Sequence, residues 1–212
     1  MRITPEKNPI LFSAARIVRS GGVVIVPTET FYALAADPFQ EHAVRRIFEI
    51  KSRPETIPLP LISAHRAVVD KMIPSVCHTA EELMNLFWPG SLTILLEPTF
   101  QFSRLVIGPT GKVGVRVPPD CPARQLAELA GGWITATSAN RSGEPSPDRV
   151  TRISAPVLDA VDLVVDSGRS PGGKPSTVVE PLADGLRFVR EGAISRKVIR
   201  GKMRVLVSDK SS

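Results

Sequence analysis

Residues 22–27 read GVVIVP. Val23 to Val26 form an unbroken run of β-branched residues, too short for a helix and crowded at χ1 in one. The spacing predicts a strand. No polar residue alternates with the apolar ones, so the strand belongs inside a sheet that is covered on both faces. Directly upstream, Asn8-Pro9 leads into ILFSAARIVRSGG. A proline in the first turn, Leu11, Ala15 and Val18 at helical spacing and a glycine exit predict a helix to cover one side.

The same alternation continues. QEHAVRRIFEIK (40–51) sets Ala43, Ile47 and Ile50 on one helical face and is ended by Pro54. A strand at 59–62 and a helix at 64–71 follow, and Thr79 to Glu82 reads as a capping box for a helix running to Trp88. Strands are expected at 91–97 and 112–118, a helix at 123–131, and strands at 133–138, 162–166, 176–180 and 186–190. Helices and strands alternate early and strands dominate late. That order predicts an α/β fold with one twisted, mixed β-sheet and flanking helices, rather than a purely parallel sheet. At 212 residues, one domain with at most a small appendage is the expectation. Twenty prolines and fifteen glycines imply frequent loops.

Several function classes drop out. No apolar run approaches the roughly 20 residues of a membrane span, and MRITPEKNPI lacks the apolar stretch of a signal peptide. The chain therefore reads as cytoplasmic. Cys77 and Cys121 stand apart with no CxxC, and His42, His65 and His78 form no spaced ligand set, which argues against a protein-held metal. The net charge of +6 permits an anionic partner but is spread along the chain, except for the basic end at Arg196, Lys197, Arg200, Lys202 and Arg204.

The chemistry-bearing stretches sit where strands or helices end. PTETFYALAAD places Thr28, Glu29, Thr30 and Tyr32 after the first strand, where α/β proteins bind ligands. KSRP puts Lys51 and Arg53 at a helix end, a mobile point charge and a bidentate fork able to converge on one anion. TATSANRSGEPSP (135–147) follows an apolar strand with hydroxyls and an amide, a composition that suits either a turn or a cradle for a polar anionic ligand. GRSPGGKPSTVV (168–179) is glycine-rich, and Arg190 ends the last strand. There is no GxxxxGK[ST], no GxGxxG and no legible Ser-His-Asp or Cys-His set. Hydroxyls and cations without a nucleophile suit nucleotidyl or phosphoryl transfer, where positioning and charge stabilisation supply most of the rate.

VPTETFYALAAD, KSRP…PL, FWPGSLT, VGVRVP, TSANRSGEPSP, STVV and LRFVREGAIS occur here in an order that resembles the YrdC-like family of threonylcarbamoyl-AMP synthases. The combination of Lys51 and Arg53 with Ser138 and Asn140 is the most specific part. The likeness spans roughly residues 8–200, leaving a basic C-terminal tail at 201–212, and the length is similar to the short bacterial form. It implies a nucleotidyltransferase that joins L-threonine, bicarbonate and ATP, with Mg²⁺, and releases diphosphate. The product would pass to a tRNA-modifying transferase complex. By the same resemblance Thr28, Thr30, Tyr32, Arg116 and Ser176 would bind threonine, with Arg116 on its carboxylate. Lys51, Arg53, Lys112, Ser138, Asn140, Ser146 and Arg190 would bind ATP, and Lys51 and Arg53 would be catalytic. Three departures stand out: Ala33 and Ala35 where family members usually have Gly, or Gly and Asp; Ser91 in place of a proline; and the longer GRSPGGKPSTVV loop.

The alternative is an RNA- or tRNA-binding module without catalysis, since the family fold presents a concave basic face. A salt-dependent RNA affinity without diphosphate release would mark it. A carbamoyl-transfer domain of hydrogenase maturation is set aside, because such domains are embedded in much longer chains with acylphosphatase and zinc-finger segments.

Overall fold

A computed structural model of the chain describes residues 8–209 except 74, 100, 101 and 184. Helix α1 (Pro9–Arg19) leads into strand β1 (Val24–Pro27), which turns back as β2 (Tyr32–Ala35). Successive strand residues face opposite sides. Val23 and Ile25 enter one hydrophobic core and Val24 and Val26 another, all of them fully buried. The double-sided burial read from GVVIVP is thus met, at about 1.5–3 kcal/mol for each such side chain. On one side lie α1 and α5 (Pro122–Leu129), whose Ala14, Ala15, Ala123 and Ala127 allow close approach. On the other lie α2 (Glu41–Lys51) and α4 (His78–Phe87).

The remaining elements are β3 (Leu61–Ser63), α3 (Arg66–Met72), β4 (Leu92–Leu96), β5 (Val113–Arg116), β6 (Trp133–Thr135), β7 (Thr137–Ser138), α6 (Ala155–Leu158), β8 (Leu163–Val164), β9 (Thr177–Leu182), β10 (Gly185–Arg190) and α7 (Arg196–Asp209). The α/β class and the mixed pairing stand, but the strands form two sheets rather than one. A four-stranded sheet has the order β7-β2-β1-β8 and a six-stranded sheet the order β10-β9-β4-β5-β3-β6. Each combines parallel and antiparallel pairs.

The segment expected as one strand, 133–138, is where the sheets meet. β6 pairs with β3 and β7 with β2, so the chain leaves one sheet and joins the other at Ala136. The Ala136 N–H donates to Pro60 O at 2.8 Å, and the Thr135 hydroxyl accepts from the Ala36 N–H at 2.9 Å. This junction positions the site described below.

Other local readings need correction. Tyr32 to Ala35 form a second strand that the sequence did not announce, held by β1 on one side and β7 on the other. Helix α4 begins at His78 with Cys77 as its cap residue and no side-chain cap bond, which places Thr79 inside the first turn instead of at its mouth. The tail expected from residue 201 begins inside helix α7, where Ile199 is buried and Arg196 and Arg200 lie over the Phe188 ring at 5.2 and 5.6 Å. Residues 210–212 of that tail lie outside the described residues.

Candidate active site

The β1–β2 turn builds the first wall. The Thr28 hydroxyl accepts from the backbone N–H of Thr30 (3.1 Å) and of Phe31 (3.2 Å) and donates to Phe31 O (2.8 Å), which fixes a tight turn. Its oxygen lies 3.1 Å from the Thr30 hydroxyl, so the two threonines present adjacent polar atoms. Tyr32 is fully buried. Its hydroxyl reaches away from the cavity to Gly168 O (2.6 Å) and Asp166 Oδ1 (3.0 Å), and it accepts from the Ser167 N–H (3.3 Å). Burial and the Asp166 carboxylate push this phenol's pKa up. Tyr32 therefore ties the loop after β8 to the turn.

Lys51 and Arg53 are two residues apart yet face different ways. Helix α2 ends at Lys51, and Ser52 adopts φ +48°, a left-handed conformation that non-glycine residues seldom take. Lys51 stays inside, 2% exposed, and its ammonium donates to Ser138 O (2.5 Å), Asn140 O (2.7 Å) and Asn140 Oδ1 (3.1 Å). Burial, and then the neighbouring Arg53 charge, push its pKa down to about 8. The Ser142 N–H donates to Lys51 O at 2.9 Å, so both ends of the lysine hold the 138–142 loop. Arg53 emerges at the cavity wall, with Nε donating to Ile57 O (2.9 Å) and Nη2 to Pro58 O (3.2 Å).

Two more arginines arrive from strand ends. Arg116 closes β5, is 5% exposed, and lies with Nε 3.0 Å from Glu29 Oε1. Neither of those two atoms has an aligned hydrogen bond. Arg190 closes β10 at the sheet edge and donates through Nη2 to Ser176 O (2.9 Å) and Ser176 Oγ (3.2 Å). Desolvation at the wall, and then the charges of Arg116 and Arg53, lower the Arg190 pKa. The Ser176 hydroxyl, itself buried, sits 2.9 Å from Thr93 Oγ1.

Together these groups enclose a cavity of about 190 Å³. Thr28, Thr30, Tyr32, Arg53, Arg116, Ser138, Ser146, Ser176 and Arg190 all line it. No acidic residue is among the described lining residues; Glu29 stands behind, against Arg116. Three guanidiniums facing one small cavity, with one carboxylate among them, create a demand for an anion.

Three expected residues are placed differently. Lys51 and Asn140 sit behind the wall: Asn140 accepts from Lys51 and from the Ser138 hydroxyl (2.5 Å) and donates to Glu144 O (2.5 Å). Lys112 is not brought to the cavity. Its ammonium lies 3.0 Å from Glu180 Oε1 and 3.5 Å from Glu97 Oε1, in a separate groove beside Cys77 and Pro181. β5 carries it there because Lys112 precedes the strand that Arg116 ends. Of the departures, Ala33 lines the cavity and Ala35 is buried against the α1–α5 core. Phe31 lines the cavity without having been expected there, and Glu29, named among the polar residues after the first strand but given no role, gains its partner only when β5 brings Arg116 to it.

The family named for Sua5, YciO and YrdC, described as telomere recombination, matches residues 16–192. The threonylcarbamoyl-AMP synthase of Pyrococcus abyssi (strain GE5 / Orsay) is 36% identical over 167 residues, covering 79% of this chain and 49% of that protein. The chain thus spans about half the length of that relative. A putative threonylcarbamoyl-AMP synthase of Methanocaldococcus jannaschii is 32% identical over 189 residues, covering 89% of this chain and 88% of the relative. The crystal structure of Pyrococcus abyssi Sua5 complexed with L-threonine superposes with a TM-score of 0.86 at 33% identity, over 96% of this chain and 59% of that one.

Proposed function

The chain belongs to the Sua5/YciO/YrdC family, and from that premise we propose that it makes threonylcarbamoyl-AMP from L-threonine, bicarbonate and ATP, releasing diphosphate and water. The observation that carries this reading is the convergence of Arg53, Arg116 and Arg190 on one hydroxyl-lined cavity. Both organic substrates are anionic where they must be held: ATP through its phosphates and threonine through its carboxylate. Fixed guanidiniums suit both, and they stabilise charge on the transferring phosphorus without reorganising.

In this reading Arg53 and Arg190 take the phosphates, and Arg53 is the catalytic cation. Arg116, released in part from Glu29, takes the threonine carboxylate, and Thr28, Thr30 and Ser176 line the threonine side. Ser138 and Ser146 serve the nucleotide. Lys51 and Asn140 act through the loop they hold, which makes them positioning residues. The fixed backbone of Tyr32 shapes the floor.

Among the described residues no cluster of three or more His, Cys, Asp or Glu could hold a metal ion. Mg²⁺ would accordingly be carried on the ATP phosphates, as this ion commonly is. No helix among the described residues is long and apolar enough to cross a membrane. We assign the enzyme to the cytoplasm, upstream of a transferase complex that places the threonylcarbamoyl group on tRNA, with any direct tRNA contact weak.

The test is to incubate the purified protein with ATP, bicarbonate and labelled threonine. A labile labelled adenylate, with diphosphate release that needs all three substrates, is the expected result. Salt-dependent RNA binding without diphosphate release would replace the synthase reading with the binding-module one.

A further inference from the structure

One carboxylate at the rim of the site has no role in the scheme above. Asp148 lies two residues beyond Ser146 and is 4% exposed. Its Oδ2 is 2.9 Å from Arg169 Nε, and its Oδ1 is 3.0 Å from Arg152 Nη1 and 3.4 Å from Arg149 Nε. Its backbone carbonyl accepts from the Ser170 N–H at 2.8 Å. Both the side chain and the main chain of Asp148 thus hold the segment that runs from β8 to β9.

The far end of that segment is held independently, by Arg190 on Ser176 O and by the Ala193 N–H on Pro175 O, but the stretch 167–173 has fewer ties. Gly168, Gly172 and Gly173 all have positive φ, and no neighbour lies within 4 Å of where a Cβ would stand on Gly168 or Gly173. Within that stretch the other ties are the Tyr32 hydroxyl, which donates to Gly168 O and accepts from the Ser167 N–H, the Gly168 N–H on Asp166 Oδ1, and the Gly172 N–H donating to Thr30 O at 2.7 Å. Gly172 packs so closely that a Cβ would meet Asp148 Cβ at 3.4 Å. The segment ends in Pro175 and Ser176, two lining residues of the cavity. Loops with few buried contacts open at low free energy, so one charged clamp can set how often this one is closed.

We propose that Asp148 is a positioning residue that clamps the glycine-rich stretch 167–173 beside the cavity, keeping the chain that leads into Pro175 and Ser176 in a binding-competent arrangement. Asp148 is itself well placed for this, because the preceding carbonyl of Pro147 accepts from the Tyr32 N–H at 2.9 Å and ties it to β2. Burial works against its charge, but the hydrogen bond from Arg169 and the charges of Arg152 and Arg149 outweigh it and hold the carboxyl below the usual carboxylate range. The Arg169 side chain is 66% exposed, so an isolated pair would contribute little. Three guanidiniums on one buried carboxylate form a network instead.

The inference rests on the synthase reading for its substrates but not for its structural half. Asp148→Asn keeps the shape and removes the charge. If the closed fraction falls to about one tenth, the apparent KM for ATP and for L-threonine rises about tenfold, with kcat nearly unchanged. Amide exchange at Ser170 and Gly172 accelerates in the ligand-free protein, and the melting temperature stays close to that of the wild type. Arg169→Ala, at an exposed position, is expected to repeat both effects and decides the matter if Asp148→Asn fails to fold. Unchanged KM and unchanged exchange overturn the proposal, as does a lowered melting temperature with KM and exchange unaltered. Should the wild type show no threonine-dependent turnover, the synthase reading falls, and the exchange rates alone still decide the clamp.

Discussion

Lys51→Met separates two opposing effects at one buried site. Methionine keeps the apolar stem and removes the ammonium. Three acceptors, Ser138 O, Asn140 O and Asn140 Oδ1, then lose a donor, at about 1 kcal/mol or more each. Against this, the folded protein holds the ammonium at about 8 instead of its ordinary 10.5. Near neutral pH that gap corresponds to roughly 3 kcal/mol of penalty for keeping the buried charge, at about 1.4 kcal/mol per pH unit. Methionine carries no such penalty. The two effects are similar in size, so the variant is expected to lie within about 2 kcal/mol of wild-type stability near pH 7.

Activity should behave differently. The loop bearing Ser138 loses its tether, and displacements on the order of 1 Å in a site of this kind cost about 100-fold in rate. A second signature is the pH dependence. Between the folded value of about 8 and the ordinary 10.5, the unfolded chain binds a proton that the folded protein has released. Wild-type stability therefore rises with pH through that window relative to the variant, by up to roughly 3 kcal/mol. The assay is urea denaturation of both proteins at several pH values from about 7 to about 10, with turnover measured alongside. A wild-type minus variant difference that stays constant across that range would refute the depressed ammonium. A loss well above about 4 kcal/mol near pH 7 would refute the balance of effects.

Arg53→Ala is expected to lower activity about 100-fold while the melting temperature moves by only a few degrees; a collapsed melt would mean that its bonds to Ile57 and Pro58 hold the fold. Ser138→Ala should weaken ATP binding with the melt unchanged, whereas Asn140→Ala, which also cuts the bonds to Lys51 and Glu144, should lose about 1–3 kcal/mol of stability as well. Equal melts for those two variants would contradict the placement of Asn140 behind the wall. Excess chelator should abolish diphosphate release and leave the thermal melt of the ligand-free protein unaltered; full turnover under chelation would remove Mg²⁺ from the scheme.

Periodicity is a local property, and what it encodes was legible in the sequence. Leu11, Ala15 and Val18 mark the inner face of α1, and Val23 to Val26 demand cover on both sides; both are met. The ordered motifs carried the family, and most cavity-lining residues with it. Pairing is non-local, and there the sequence was silent. Nothing in WITATS shows that β6 and β7 join different sheets, because each strand is satisfied by a partner far away in the chain. Lys51 and Arg53 look like a pair, but a left-handed Ser52 turns one into the core and the other to the cavity. Lys112 sits four residues before Arg116, yet the ladder β9-β4-β5 delivers Glu180 to it and leaves it outside the site. Asp148 and Arg169, twenty-one residues apart, meet only because β2 and β8 bring their loops to one rim. Side-chain pattern determined which residues are inside; long-range hydrogen bonding between strands decided which charges face one another, and so which of them make the site.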